Sequence, residues 1–311
     1  MPFADPVPAL EPESAGRRSG PPRCRRRREL VTRRRFTARL FRWSAGARRP
    51  LAIRDAANPW EVLVAEVMSQ QTGIERVGPA WRRFVDRWPT PGSLADADTH
   101  ELLAAWSGLG YNRRALALRE AARTIVARHG GRVPATVAAL ESLPGIGPYT
   151  ARAVAATAFD VAVAPLDVNV RRVIARVLGL ASSLPALQPA ADDLVSRRQP
   201  GRWLDAVMDL AAGICTSRVP RCDSCPLADL CASRHVAAIV EPKTRGAPFP
   251  STTRWLRGRL VAALVAAPAG TWVAMPDHLG QHDGDAIGRA ARGLERDGFL
   301  ELRGGEARVR Q

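Results

Sequence analysis

With 311 residues, 46% of them hydrophobic, the chain is long enough to bury at least one full core and to divide into about two domains. No apolar run approaches the roughly 20 residues that span a bilayer, and charges stand where a signal peptide would carry its apolar stretch, so a soluble cytoplasmic protein with no membrane partner is expected. The net charge of +16, nearly all arginine because Lys243 is the single lysine, points to a polyanionic partner.

Residues 1–35 show no apolar periodicity and hold an arginine run among prolines and glycines. They read as a disordered tail whose charges need be no more than solvated, with Cys24 isolated inside it. From Phe36 the pattern turns helical. Asn58-Pro59-Trp60-Glu61 offers a capping asparagine, proline at the first helical position and a glutamate three after the cap, which predicts a helix burying Leu63, Val64, Val67 and Met68. Further amphipathic segments are predicted at 78–88, 99–106, 113–129, 135–142, 148–158, 169–178, 188–197 and 201–213. No period-two alternation precedes residue 255, so the main body is expected to be all-α. Residues 236–253, with Pro242, Pro248 and Pro250, read as a linker. A small separate unit follows, with helices predicted at 254–266, 275–279 and 285–297 and a hairpin around Gly304-Gly305, the order of a winged helix.

Four of the five cysteines, Cys215, Cys222, Cys225 and Cys231, fall within one short block. In a cytoplasmic protein such crowding points to a metal rather than to disulfides. Zinc competes at this stage, although structural zinc sites usually pair two short-spaced hairpins across a longer gap. Leu143-Pro144-Gly145-Ile146-Gly147 puts two glycines between helical patterns, where exposed amides at a helix start suit a phosphate oxygen. A plain helix–helix turn has the same form. Asp167 opens a helical segment, as a simple cap would. Glu66 lies on a predicted helix one turn before Gln70, so the two are expected to share a face. The two tyrosines, Tyr111 and Tyr149, lie in or beside glycine hairpins, where core packing is the plain alternative.

Together, from about residue 49 to 235, these motifs resemble the helix-hairpin-helix DNA glycosylases. The cysteine spacing is similar to the loop that holds a 4Fe-4S cluster in endonuclease III-like members. Glu66 followed by Gln70-Gln71-Thr72 resembles the MutY-type adenine glycosylases. The resemblance implies two helical lobes with mispaired double-stranded DNA between them. One would be a six-helix barrel at 59–165 containing the hairpin, and the other a cluster lobe formed by 36–58 and 166–235, with 254–311 appended.

For function, the resemblance implies a monomeric, nucleoid-associated enzyme of base excision repair that removes adenine opposite 8-oxoguanine or guanine. Glu66 would protonate the purine N7 and Asp167 would stay ionised beside the sugar cation, with Tyr149 and Asn169 orienting both. Gln70, Gln71, Thr72, Tyr111, Gly145 and Gly147 would contact DNA, with Gln70 and Tyr111 filling or wedging the vacated stack. The four clustered cysteines would ligate the 4Fe-4S cluster. Tyr149 stands where bifunctional relatives carry a lysine nucleophile, which implies no lyase step. The sequence departs from the family pattern at Gly73, Asn112 and Val168, and its C-terminal part does not resemble the Nudix-like module that reads 8-oxoguanine. A thymine or uracil mismatch glycosylase on the same scaffold is the nearer alternative. A non-enzymatic iron-sulfur DNA-binding protein is the more distant one, since binding alone requires neither carboxylate.

Overall fold

The computed structural model describes residues 33–236 and 246–311, so most of the arginine run, with Cys24, and half of the expected linker lie outside the described residues. The first described helix, α1 (Arg33–Ala47), starts three residues before Phe36, where the helical pattern was expected to begin. Phe36, Leu40 and Ser44 form its buried stripe, and arginines, which are good helix formers, extend it by a turn.

Seven helices follow, α2 (Pro59–Ser69), α3 (Ile74–Arg87), α4 (Pro91–Ala95), α5 (Thr99–Ala105), α6 (Arg113–His129), α7 (Val137–Glu141) and α8 (Pro148–Ala158). Asn58 caps α2 by accepting from the Glu61 amide at 3.1 Å, as its sequence predicts. Helix α3 begins four residues before the predicted start and carries Pro79 inside it, because Val77 is fully buried and Ile74 packs on the same core. Leu63, Leu102, Trp106 and Leu118 are among the residues at the centre of this lobe, and α2 packs directly on α8.

The second lobe gathers α1 with α9 (Val168–Leu178), α10 (Leu184–Asp192) and α11 (Pro200–Gly213) around Phe36, Ile174 and Trp203. Helix α10 corrects the prediction of 188–197. Pro185 in the first turn starts it early, and Leu194 and Val195 are buried on the turn that follows it.

The C-terminal part consists of α12 (Thr253–Ala266), β1 (Val273–Ala274), β2 (His278–Leu279), β3 (His282–Asp283), α13 (Gly284–Arg296), β4 (Leu300–Arg303) and β5 (Glu306–Val309). The short helix predicted at 275–279 is absent. Met275 instead donates its amide to the Gly305 carbonyl, Pro276 interrupts the segment, and β2 turns back on β3 through Gly280. Gly280 has a φ of +64°, and a Cβ there would come within 2.6 Å of the Trp255 ring. Strands β1, β5 and β4 make an antiparallel sheet in that order.

This part is not a separate unit in its packing. Leu256, Leu260, Val261 and Leu264 of α12 belong to the same apolar cluster as the first lobe, and His100 Nε2 lies 2.9 Å from the Ala267 carbonyl oxygen. Among the described residues no helix is long and apolar enough to cross a membrane.

Candidate active site

Helix α2 is apolar on nearly every side, with Val62, Leu63, Val64, Ala65, Val67 and Met68 all buried. Glu66 sits in this run. Burial raises its carboxyl to about 7, and the negative charges of Asp205 and then Asp167 push it the same way. Asp167 faces it from the second lobe, at the start of α9. Its Oδ1 accepts from the amides of Asn169 at 2.9 Å and Val170 at 2.7 Å, and its Oδ2 accepts from Asn169 Nδ2 at 2.8 Å. The capping role expected of an aspartate at this position is therefore present, and the carboxylate it fixes lies close enough to Glu66 and Tyr149 for its charge to act on both.

Asn169 is fixed from both ends. While its amide nitrogen donates to Asp167, its Oδ1 accepts from Arg172 Nη1 at 3.0 Å. Arg172 in turn donates to the carbonyls of Cys215 at 2.8 Å and Ala211 at 3.1 Å. A continuous chain of hydrogen bonds thus runs from the cysteine loop to Asp167. Tyr149, in the first turn of α8, completes the group. Burial, reinforced by the charges of Glu66, Asp167 and Asp205, pushes its phenol well above the usual range, which keeps the hydroxyl as a proton donor.

Besides Arg172 and Arg54, three participants escaped the sequence reading, Asp205, Asp209 and Arg114. Asp205 is raised by burial, against the opposing charges of Arg54 and Arg48, with Arg54 Nε at 2.9 Å. Arg54 also pairs with Asp209, whose side chain is almost fully buried. The available signal was two carboxylates four residues apart on an otherwise apolar α11. The third is Arg114. Its Nη1 donates to the carbonyls of Val67, Met68 and Gln70, and its Nη2 to Thr72 Oγ1 and to the carbonyls of Leu109 and Gly110. It ties the end of the Glu66 helix to the Tyr111 loop, at the expense of a guanidinium lowered to about 10 by burial.

The structure separates the other predicted contacts. Gln70 follows the last residue of the Glu66 helix. Its side chain donates to Thr150 Oγ1 at 3.0 Å and to the Gly145 carbonyl at 3.4 Å, so it is fastened to the glycine hairpin. Gln71 follows in a left-handed conformation and is exposed, while Thr72 Oγ1 donates to the Leu109 carbonyl at 3.1 Å. Gly145 requires glycine twice over, since its φ is +76° and a Cβ would lie 2.8 Å from the Cβ of Ala117. Gly147 caps α8 with ordinary dihedrals and open space where a side chain would be. Tyr111, 38% exposed, has a φ of +48°.

Cys215, Cys222, Cys225 and Cys231 line a single pocket with Leu210, Ile214 and Leu227. Burial pushes Cys225 up to about 11 and raises Cys231, and the other clustered thiols add to both shifts. Four soft sulfur donors crowded in an apolar pocket form a donor set that a positively charged iron-sulfur core would relieve, so their chemistry fits the group. Among the described residues no three metal-binding side chains converge closely enough to hold a single ion.

Residues 64–188 match the family model of the HhH-GPD superfamily base excision DNA repair protein. An adenine DNA glycosylase of Mycobacterium tuberculosis is 42% identical over 237 residues, covering 73% of this chain and 78% of its own. Another from Mycolicibacterium smegmatis is 37% identical over 268 residues, covering 84% of this chain and 91% of its own. A solved thermostable thymine-DNA glycosylase superposes with a TM-score of 0.61 at 27% identity, over 68% of this chain and 97% of that one.

Proposed function

The chain belongs to the adenine DNA glycosylase family, within the helix-hairpin-helix base-excision repair enzymes, and on that premise we propose that it hydrolyses the N-glycosidic bond of adenine mispaired with 8-oxoguanine or guanine. The observation that carries this reading is the pair of carboxylates in unlike settings, Glu66 raised to about 7 by burial and Asp167 bonded to N–H donors at a helix start.

Base removal begins with extrusion of the nucleotide, which costs roughly a few kcal/mol and less at a mispair. Adenine leaves poorly as an anion. Glu66, half protonated near neutrality, donates a proton to N7, and Asp167 supplies negative charge beside the sugar as it becomes oxocarbenium-like. The parallel is two-carboxylate glycoside hydrolysis. Tyr149 and Asn169 orient the two groups, and water completes the reaction to leave an abasic site. Gly145, Gly147 and Thr72 contact the backbone, Gln70 and Gln71 the base stack, and Tyr111 wedges it. Cys215, Cys222, Cys225 and Cys231 would hold a 4Fe-4S cluster, which when bound shapes the loop that supports Arg172. The protein acts as a monomer on nucleoid DNA.

With a single lysine in the chain, at 243, and Tyr149 beside Glu66 and Asp167, the reaction stops at the abasic site. Duplexes carrying A opposite 8-oxoguanine, A opposite G, T opposite G and U opposite G, treated with protein and then alkali, test the assignment. Cleavage at the adenines alone is expected. Cleavage at T or U opposite G would move the protein to the mismatch thymine class that its structural neighbour represents. Binding without cleavage of any duplex would favour a non-enzymatic role. Strand breaks before alkali, with borohydride trapping, would overturn the monofunctional reading.

A further inference from the structure

The Tyr111 loop meets the C-terminal part of the chain. Arg254, in the first turn of α12, donates from Nη1 to the Tyr111 hydroxyl, and its guanidinium lies 5.0 Å from the centre of the Tyr111 ring and 4.8 Å from that of Phe249. The backbone beneath Arg254 is fixed. Thr252 caps α12 by accepting from the Trp255 amide at 3.2 Å, the Trp255 ring stacks on His282, and Leu256 is buried in the apolar cluster shared with the first lobe. Tyr111 itself needs support. A left-handed φ in a non-glycine residue persists only where its surroundings over-determine it, and within the loop Arg114 supplies part of that restraint. Its amide and Nε donate to the Tyr111 carbonyl at 2.9 and 3.4 Å, and its guanidinium lies 5.7 Å from the centre of the Tyr111 ring without reaching the hydroxyl that Arg254 holds. The ring, 38% exposed, is held at its hydroxyl from the C-terminal part by Arg254.

We propose that Arg254 is a positioning residue for base extrusion, through which the C-terminal part of the chain holds Tyr111 as a preset wedge. The inference rests on the reading of Tyr111 as the wedge. A planar guanidinium between two aromatic rings restricts Tyr111 in a way that an ammonium does not reproduce, since it stacks and bonds the hydroxyl at once. Pre-organisation of this kind speeds extrusion and leaves the chemistry at Glu66 and Asp167 untouched. The partner is the duplex at the mispair, reached through Tyr111 and not by Arg254 reading a base.

The test uses the full chain and a duplex with 2-aminopurine beside the target adenine, with stopped-flow fluorescence for extrusion and single-turnover excision for the whole reaction. Arg254→Ala is expected to slow extrusion roughly tenfold, about what is expected from one charge-assisted hydrogen bond together with a cation–π contact. Arg254→Lys should be nearly as slow, and Tyr111→Phe, which keeps the ring and removes the acceptor, should lie between. Tyr111→Ala and the double variant should be equally slow, because Arg254 acts only through Tyr111. With ring-carbon-13 tyrosine the chain gives two sets of ring signals, and Arg254→Ala should move that of Tyr111 and not that of Tyr149.

Wild-type extrusion by Arg254→Lys, or additive losses in the double variant, would show that Arg254 acts by charge on a phosphate and would overturn the proposal. So would an unmoved Tyr111 signal. Normal extrusion by Tyr111→Ala would instead remove the wedge reading beneath it, an outcome distinct from normal extrusion by Arg254→Ala beside a slow Tyr111→Ala.

Discussion

The two walls of the proposed site present the same functional group in opposite settings. On the wall built by α2, Glu66 stands among buried aliphatic side chains, and burial is the main cause that lifts it to about 7. On the wall built by α9, Asp167 takes three hydrogen bonds from N–H groups at the start of a helix, where the partial positive charge favours an anion. Apolar packing makes an acid and backbone donors hold a charge. The walls are stabilised differently too. The first is closed by Arg114 on backbone carbonyls, whereas the second depends on a side-chain chain that ends in the cysteine loop.

The sharpest way to break this comparison is to remove each charge without changing shape. Glu66→Gln and Asp167→Asn should each lower single-turnover excision by about 10²–10⁴-fold, the range for a positioned acid or a preorganised charge. Their effects on stability should differ. Asparagine caps a helix about as well as aspartate, so Asp167→Asn should melt near the parent, and Asp167→Ala should lose about 1 kcal/mol. An active Glu66→Gln protein would mean that the acid lies elsewhere, with Asp205 the next group to test.

Loss of the cysteine set should injure the second wall alone. Protein purified without oxygen is expected to contain iron and sulfide in near-equal amounts, and Cys225→Ser should lose both together with most activity. Stoichiometric zinc in the parent would overturn the cluster assignment. If the cluster were lost while activity remained, Asp167 would not depend on the loop.

The pH dependence separates the walls by sign. Folding raises Glu66 from 4.5 to about 7, so its contribution to stability is complete below pH 4.5 and is lost as pH rises through 7. Glu66→Gln has no such loss. It should therefore become more stable than the parent as pH rises from 4.5 to 7, by about 1–3 kcal/mol above pH 7, the lower part of that range allowing for the solvent that still reaches the carboxyl. Parent excision should decline as pH rises through 7, as the folded acid loses its proton. Parallel melting curves of the two proteins at pH 5 and pH 8.5 would contradict the buried-acid assignment.

Much of this was legible in the sequence because it is carried by local chemistry. The Asn58 cap, the Gly145 turn and the Asp167 cap each announce themselves within four residues. What was not legible depends on distance along the chain. Arg114 lies more than forty residues from the Val67, Met68 and Gln70 carbonyls it binds, and nothing in Asn112-Arg113-Arg114 distinguishes it from its neighbour. The side-chain bonds of Gln70 to Thr150 and Gly145, more than seventy residues away, were out of reach for the same reason. Helix α4 went unseen although Thr90-Pro91-Gly92-Ser93 holds a capping box, with serine in place of the usual glutamate. The winged unit was read as separate because its apolar periodicity says which face is buried and not what covers it.

The smallest effect expected is also the one that probes how the second wall is wired. Arg172 makes three bonds, to Asn169 Oδ1 and to the carbonyls of Cys215 and Ala211, and burial lowers its guanidinium, so the arrangement is held by geometry and not by charge alone. Without it, Asn169 keeps its bond to Asp167 but loses the contact that fixes which end of its amide faces the carboxylate. Arg172→Lys should therefore lower the single-turnover rate by roughly tenfold, the equivalent of about one charge-assisted hydrogen bond, and leave duplex affinity nearly unchanged. Iron content separates the two ways this can happen. If iron falls with activity, Arg172 acts by holding the Cys215 loop. If iron stays at the parent level while the rate falls, it acts through Asn169 on Asp167, and Asn169→Ala should then show no further loss when combined with Arg172→Lys. An unchanged rate would mean that the three N–H bonds at the start of α9 fix Asp167 by themselves.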